Sequence, residues 1–78
     1  MAETAYVLIQ TEVGKAAQVA TEVAKIDGIV GADDVTGPYD VIARAEAKNL
    51  RDLSGLVVDR IQQIEGVTRT LTCPVVHS

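Results

Sequence analysis

The chain has 78 residues, 47% of them hydrophobic, with two tyrosines as its only aromatic side chains and a formal charge of −4 from seven basic and eleven acidic residues. A chain this short forms one domain, residues 1–78, and buries roughly 60% of the surface its unfolded form exposes, so its core is thin and self-association is the expected source of further stability. Lys15, Lys25, Arg44, Lys48, Arg51, Arg60 and Arg69 are scattered among carboxylates, which excludes the focused cationic face that direct nucleic-acid binding requires.

The run Ala5-Tyr6-Val7-Leu8-Ile9 is apolar in both alternating sets and predicts a strand covered on both faces. From Gly14 to Ile26 the period changes. Ala16, Val19 or Ala20, Val23 and Ile26 share one helical stripe, with Lys15, Gln18, Glu22 and Lys25 opposite. Gly28 follows, where a left-handed C-terminal turn favours a residue without a β-carbon. Ile29 through Thr36 reads as a weak second strand suited to a sheet edge, because Gly31 and Asp33-Asp34 interrupt it. Gly37-Pro38-Tyr39-Asp40 predicts a turn, and Val41 through Ala45 a third strand.

Asn49 is placed to cap a second helix, with Asp52 three residues on and Leu50, Leu53, Val57, Ile61 and Ile64 repeating at spacings of three and four. Gly55 costs this helix about 1 kcal/mol relative to Ala, which suggests close packing against a neighbour. In the last strand Val67, Leu71, Cys73 and Val75 alternate with Thr68, Thr70, Thr72 and Pro74, so one face is apolar and the other carries threonines; Pro74 belongs at an edge or a strand end. Cys73, the lone cysteine, is expected to be a small buried apolar residue.

Ile26-Asp27-Gly28-Ile29 returns as Ile64-Glu65-Gly66-Val67, each copy joining a helix to a strand. The unit strand–helix–strand is therefore used twice. The resulting order, β-α-β-β-α-β, is ferredoxin-like: an α+β fold with two helices on one face of a four-stranded antiparallel sheet. The other face is left bare and apolar, and a second copy of the chain is the simplest partner for it.

Little here is arranged for catalysis. His77 is penultimate, Ser54 lies mid-helix and Ser78 is terminal, so no nucleophile and base are brought together. Cys73 and His77 do not make a closed zinc site. Asp33, Asp34 and Asp40 fall short of the six to eight oxygens Ca²⁺ prefers and read as a hydrated turn. No cofactor is expected. No stretch approaches the roughly 20 apolar residues of a membrane span and no signal-like N-terminus is present, so the expected location is the cytoplasm. Gly37-Pro38-Tyr39-Asp40 is an ordinary hairpin turn by its residues alone, although its bare backbone, aromatic ring and carboxylate would also suit the rim of a binding site.

The stretch from Val35 to Arg44, with its Thr-Gly-x-Tyr-Asp turn, followed by Leu53 to Val67 and Thr68-Arg69-Thr70-Leu71-Thr72, resembles the ligand-binding (RAM) domain of the Lrp/AsnC, or feast/famine, transcription regulators. The resemblance covers essentially the whole chain. It implies a β-sandwich homodimer, dimers assembled into a ring, and a small effector, typically an amino acid, bound between dimers. Gly37, Pro38, Tyr39 and Asp40 would hold the effector mainly through their backbone. Tyr39 would cover an apolar side chain and Asp40 would pair with an α-ammonium, while Thr70 and Thr72 would meet the carboxylate or side-chain end. Gly37 would let the backbone come close.

Full-length members of that family carry a helix-turn-helix domain, whereas here only residues 1–4 precede the first strand. The expectation is a stand-alone ligand-binding module without direct DNA recognition. Two other readings stay open: a small ferredoxin-like dimeric enzyme of monooxygenase or isomerase type, or a structural subunit that co-assembles with a full-length relative.

Overall fold

A computed structural model describes residues 2–76, so His77 and Ser78 lie outside the described residues. Strands β1 (Glu3–Thr11), β2 (Ile29–Asp34), β3 (Val41–Ala47) and β4 (Val67–Pro74) form one sheet in the order β2-β3-β1-β4, with every neighbour antiparallel. Helix α1 (Ala16–Ala24) joins β1 to β2, and α2 (residues 50–62) joins β3 to β4. Both helices pack on the same face, which is the expected ferredoxin-like α+β arrangement, and β2 takes the expected edge.

Strand periodicity dictates which side chains meet the helices. Ala5, Val7 and Ile9 of β1 and Val41, Ala43 and Ala45 of β3 point one way and are fully buried beneath Val19, Ala20 and Val23 of α1 and Leu53, Val57, Val58 and Ile61 of α2. The small alanines of the sheet let the helices approach closely, while each buried Val, Leu or Ile contributes about 1.5–3 kcal/mol. Leu50, expected on the same stripe, sits at the helix start and remains 51% exposed.

The glycine repeat has a matching geometry in both copies. Gly28 and Gly66 share φ +101°, and their carbonyls accept from Glu46 N at 2.7 Å and Glu12 N at 2.8 Å. A β-carbon at Gly28 would stand 2.9 Å from Val57 Cγ2 of α2, and one at Gly66 3.2 Å from Val19 Cγ2 of α1. Each turn thus packs against the helix of the other unit, which stitches the two halves together.

The second helix departs from the expected regular α-helix. Asn49 caps it as predicted, its Oδ1 accepting from Asp52 N at 2.8 Å. An α-helical turn (Leu50–Asp52) then widens into a π-helical segment (Leu53–Val58) before returning to α (Asp59–Gln62). The adjacent Val57 and Val58 of this segment both lie in the core. Gly55 lies within it, but no atom comes within 4 Å of where its β-carbon would be, so its expected close packing is absent within the chain.

Cys73 also differs from expectation, being exposed. Hydrophobicity alone made the Leu71–Cys73 set look like the inner one. The pairing of Val7 with Thr72 and Ile9 with Thr70 instead puts the threonines on the helix side, and Leu71 and Cys73 on the open face beside Leu8 and Tyr6.

Candidate functional site

β2 ends at Asp34, two residues earlier than expected, because the chain leaves the sheet and closes a turn: Val35 N donates to Asp40 O at 2.8 Å. Three further bonds hold this turn against the end of β1. Asp40 N donates to Ile9 O at 2.9 Å, Asp40 Oδ2 accepts from Thr11 N at 2.8 Å, and Gln10 Nε2 donates to Pro38 O at 3.1 Å. Gly37 and Pro38 are exposed, Tyr39 and Asp40 half-buried, and no atom lies within 4 Å of a β-carbon built on Gly37. The turn is anchored at its Asp40 end and open at its Gly37 end.

Gln10, which sequence reasoning passed over, is the hub of this region. Its backbone carbonyl accepts from Thr68 Oγ1 at 3.1 Å, so one residue of β1 ties the turn on one side to the start of β4 on the other. Arg69 is its partner across the sheet and stands exposed on the open face. No local signal marks it, since a polar residue at the end of an apolar strand does not reveal which carbonyl it reaches.

Thr70 and Thr72 are not gathered with the turn in one chain. They lie on the helix side of β4, with β1 between them and β3, and Thr70 Oγ1 accepts from Gln62 Nε2 at 3.1 Å. Asp33 and Asp34 alternate across β2, opposite Ile42 and Val41. Among the described residues no group of three or more His, Cys, Asp or Glu gathers as a metal site.

The face away from the helices carries Leu8 and Ile42, half-buried, beside Tyr6, Leu71 and Val30, which are 42%, 47% and 57% exposed. Arg44 lies over the Tyr6 ring at 5.9 Å and reaches Glu46 at 3.9 Å. A shallow hollow on this face is lined by Tyr6, Val30, Gly31, Asp33, Ile42 and Arg44. Two others open near Ala47 and Lys48. None of the three includes a residue of the Gly37–Asp40 turn. No helix among the described residues is long and apolar enough to cross a membrane.

A ferredoxin-like sheet with one helical face, one apolar open face and an anchored Gly-Pro-Tyr-Asp turn defines a small α+β domain of the kind that resembles regulator ligand-binding modules. The profile of the Lrp/AsnC ligand binding domain matches residues 4–78, and the chain belongs to that family.

The HTH-type transcriptional regulator FL11 of Pyrococcus furiosus is 35% identical over 68 residues, 87% of this chain and 44% of its own length. The chain spans about half the length of the curated relatives it matches. The crystal structure of TTHA0845 from Thermus thermophilus superposes with a TM-score of 0.88 at 30% identity, covering 97% of this chain and 95% of that one. The transcriptional regulator NMB0573 of Neisseria meningitidis, solved as a complex with L-Met, shares the fold with a TM-score of 0.80 at 19% identity, over 97% of this chain and 51% of its own.

Proposed function

We propose that this chain is a non-enzymatic effector-binding and oligomer-forming module of the Lrp/AsnC type, acting in the cytoplasm and taking an amino acid or similar small metabolite at the Gly37–Asp40 turn. The observation that carries the reading is the turn itself. It is held by hydrogen bonds through Gln10 and Asp40, yet its Gly37 end offers unobstructed backbone to a ligand. Asp40 Oδ2 is engaged by the Thr11 amide, so an α-ammonium would be taken by Oδ1. A relative of the same fold was solved with L-Met, which makes an amino acid the first class to test.

A site this open encloses a ligand only if another copy closes over it. The bare face supports the first step of assembly: Tyr6, Leu8, Ile42 and Leu71 form a contiguous apolar surface that a second copy would cover in a sandwich homodimer. Dimers would then meet around their turns in a ring, where Thr70 and Thr72 would serve the effector from a neighbouring copy. A full-length helix-turn-helix homologue is the natural partner for co-assembly. Calorimetry with each amino acid tests the reading. Binding that is lost in Tyr39→Ala and Asp40→Ala, both still folded by circular dichroism, is the expected result; an amino-acid panel without heat, or binding indifferent to both changes, sinks it.

A further inference from the structure

A hollow of about 490 Å³ opens between the α1–β2 turn, the end of β3 and helix α2. It lies at the far end of the sheet from the Gly37–Asp40 turn: that turn precedes Val41, whereas the rim of the hollow begins at Glu46. At about 3.3 Å per residue the two are roughly 20 Å apart.

The inner lining is small and apolar, made by Gly28, Ala47 and Val57. Gly28 is what brings α2 so near, since a β-carbon there would stand 2.9 Å from Val57 Cγ2 and 3.1 Å from the Glu46 carbonyl. Val57 belongs to the π-helical segment, a local geometry found frequently at functional sites.

The rim carries both signs of charge from three separate elements. Asp27 comes from the turn after α1, Lys48 from the segment after β3, and Asp52 and Arg60 from α2. Glu46 also borders the hollow but is directed toward Arg44, at 3.9 Å. Among the described residues Lys48 and Arg60 form no ion pair, and neither do Asp27 and Asp52. Two cations and two carboxylates therefore surround an apolar pocket without neutralising one another. The volume falls within the range of about 300–1,000 Å³ usual for small-molecule sites.

The geometry points to a second small-molecule site in this hollow, for a zwitterion of amino-acid size whose carboxylate is taken by Lys48 and Arg60 and whose ammonium is taken by Asp27 and Asp52. The apolar lining receives the aliphatic part. Charges of both signs around one hollow disfavour ligands that carry only one of them, because the remaining pair of rim charges then gains no partner. The site does not depend on the turn.

Amide NMR of the intact chain tests it, with glycine, leucine, acetate and methylammonium as probes. Saturable shifts at Gly28, Ala47, Lys48 and Arg60 with both amino acids, at least tenfold tighter than with acetate or methylammonium, are expected. The double variant Lys48→Gln/Arg60→Gln should lose that binding tenfold or more, while Asp40→Asn leaves it unchanged. Shifts confined to residues 37–40 overturn this second site and leave the turn reading standing; shifts confined to the hollow do the reverse. Equal binding of acetate and glycine, or binding that survives the double variant, also overturns it.

Discussion

The Asp40 carboxylate accepts the Thr11 amide at 2.8 Å, joining the start of β3 to the last residue of β1. The one acidic residue of the Gly-Pro-Tyr-Asp turn is therefore part of the scaffold as well as a candidate ligand contact. Asp40→Ala should cost about 1–2 kcal/mol of stability in urea denaturation, because a part-buried amide loses a charged acceptor. Asp40→Asn keeps an acceptor oxygen and should cost less than Asp40→Ala. Equal stability of Asp40→Ala and the parent protein would remove Asp40 from the scaffold.

Glycine substitutions should separate by position. Gly28→Ala combines a positive φ with contacts to the Glu46 carbonyl and Val57, and should destabilise by about 1–3 kcal/mol. Gly66→Ala has the same φ but meets no backbone atom this closely and only looser side-chain contacts, Val19 Cγ2 at 3.2 Å and Lys15 Cβ at 3.3 Å, so its cost should be smaller. Gly55→Ala should instead stabilise by about 1 kcal/mol, since its site is open and Ala is the better helix former. Thermal melts of the three variants check the order.

Assembly through the open face has a chemical reporter. Leu71→Arg introduces a charge at an exposed position of β4, so the fold should survive while sedimentation shifts from oligomer to monomer. Cys73 stands on the same face, and its thiol should react slowly with a thiol reagent in the assembled protein and rapidly in Leu71→Arg. A parent protein that sediments as a monomer with a fast-reacting Cys73 would contradict the proposed dimer.

The Asn49 cap should be measurable in isolation. Its side chain satisfies Asp52 N at the exposed start of α2, so Asn49→Ala should lower stability by about 1 kcal/mol, and Asn49→Asp should retain most of it. Urea midpoints of the two variants compare them.

The geometry of the candidate site is legible in the sequence only unevenly. Gly37 to Asp40 declared itself as a turn because Gly, Pro and Asp bias backbone angles locally. Gln10 did not, because a glutamine at the end of a strand carries no local signature of the carbonyl it will reach 28 residues away. The π-helical segment was equally hidden, since Leu53, Val57 and Ile61 fit ordinary helical spacing.

The amino-acid sequence by itself determined the order of elements, the doubled unit with its paired glycine turns, and the inner stripe of α1, all of which follow from periodicity and backbone preference within a few residues. Which face Leu71, Cys73, Thr70 and Thr72 present was decided only by the tertiary structure. That choice rests on the register between β1 and β4, strands far apart in the chain, and a shift of one residue there turns every side chain to the opposite face. Hydrophobicity favoured the Leu71–Cys73 face of β4 as the inner one; pairing with β1 turned the threonines to the helices and left the apolar set on the open face.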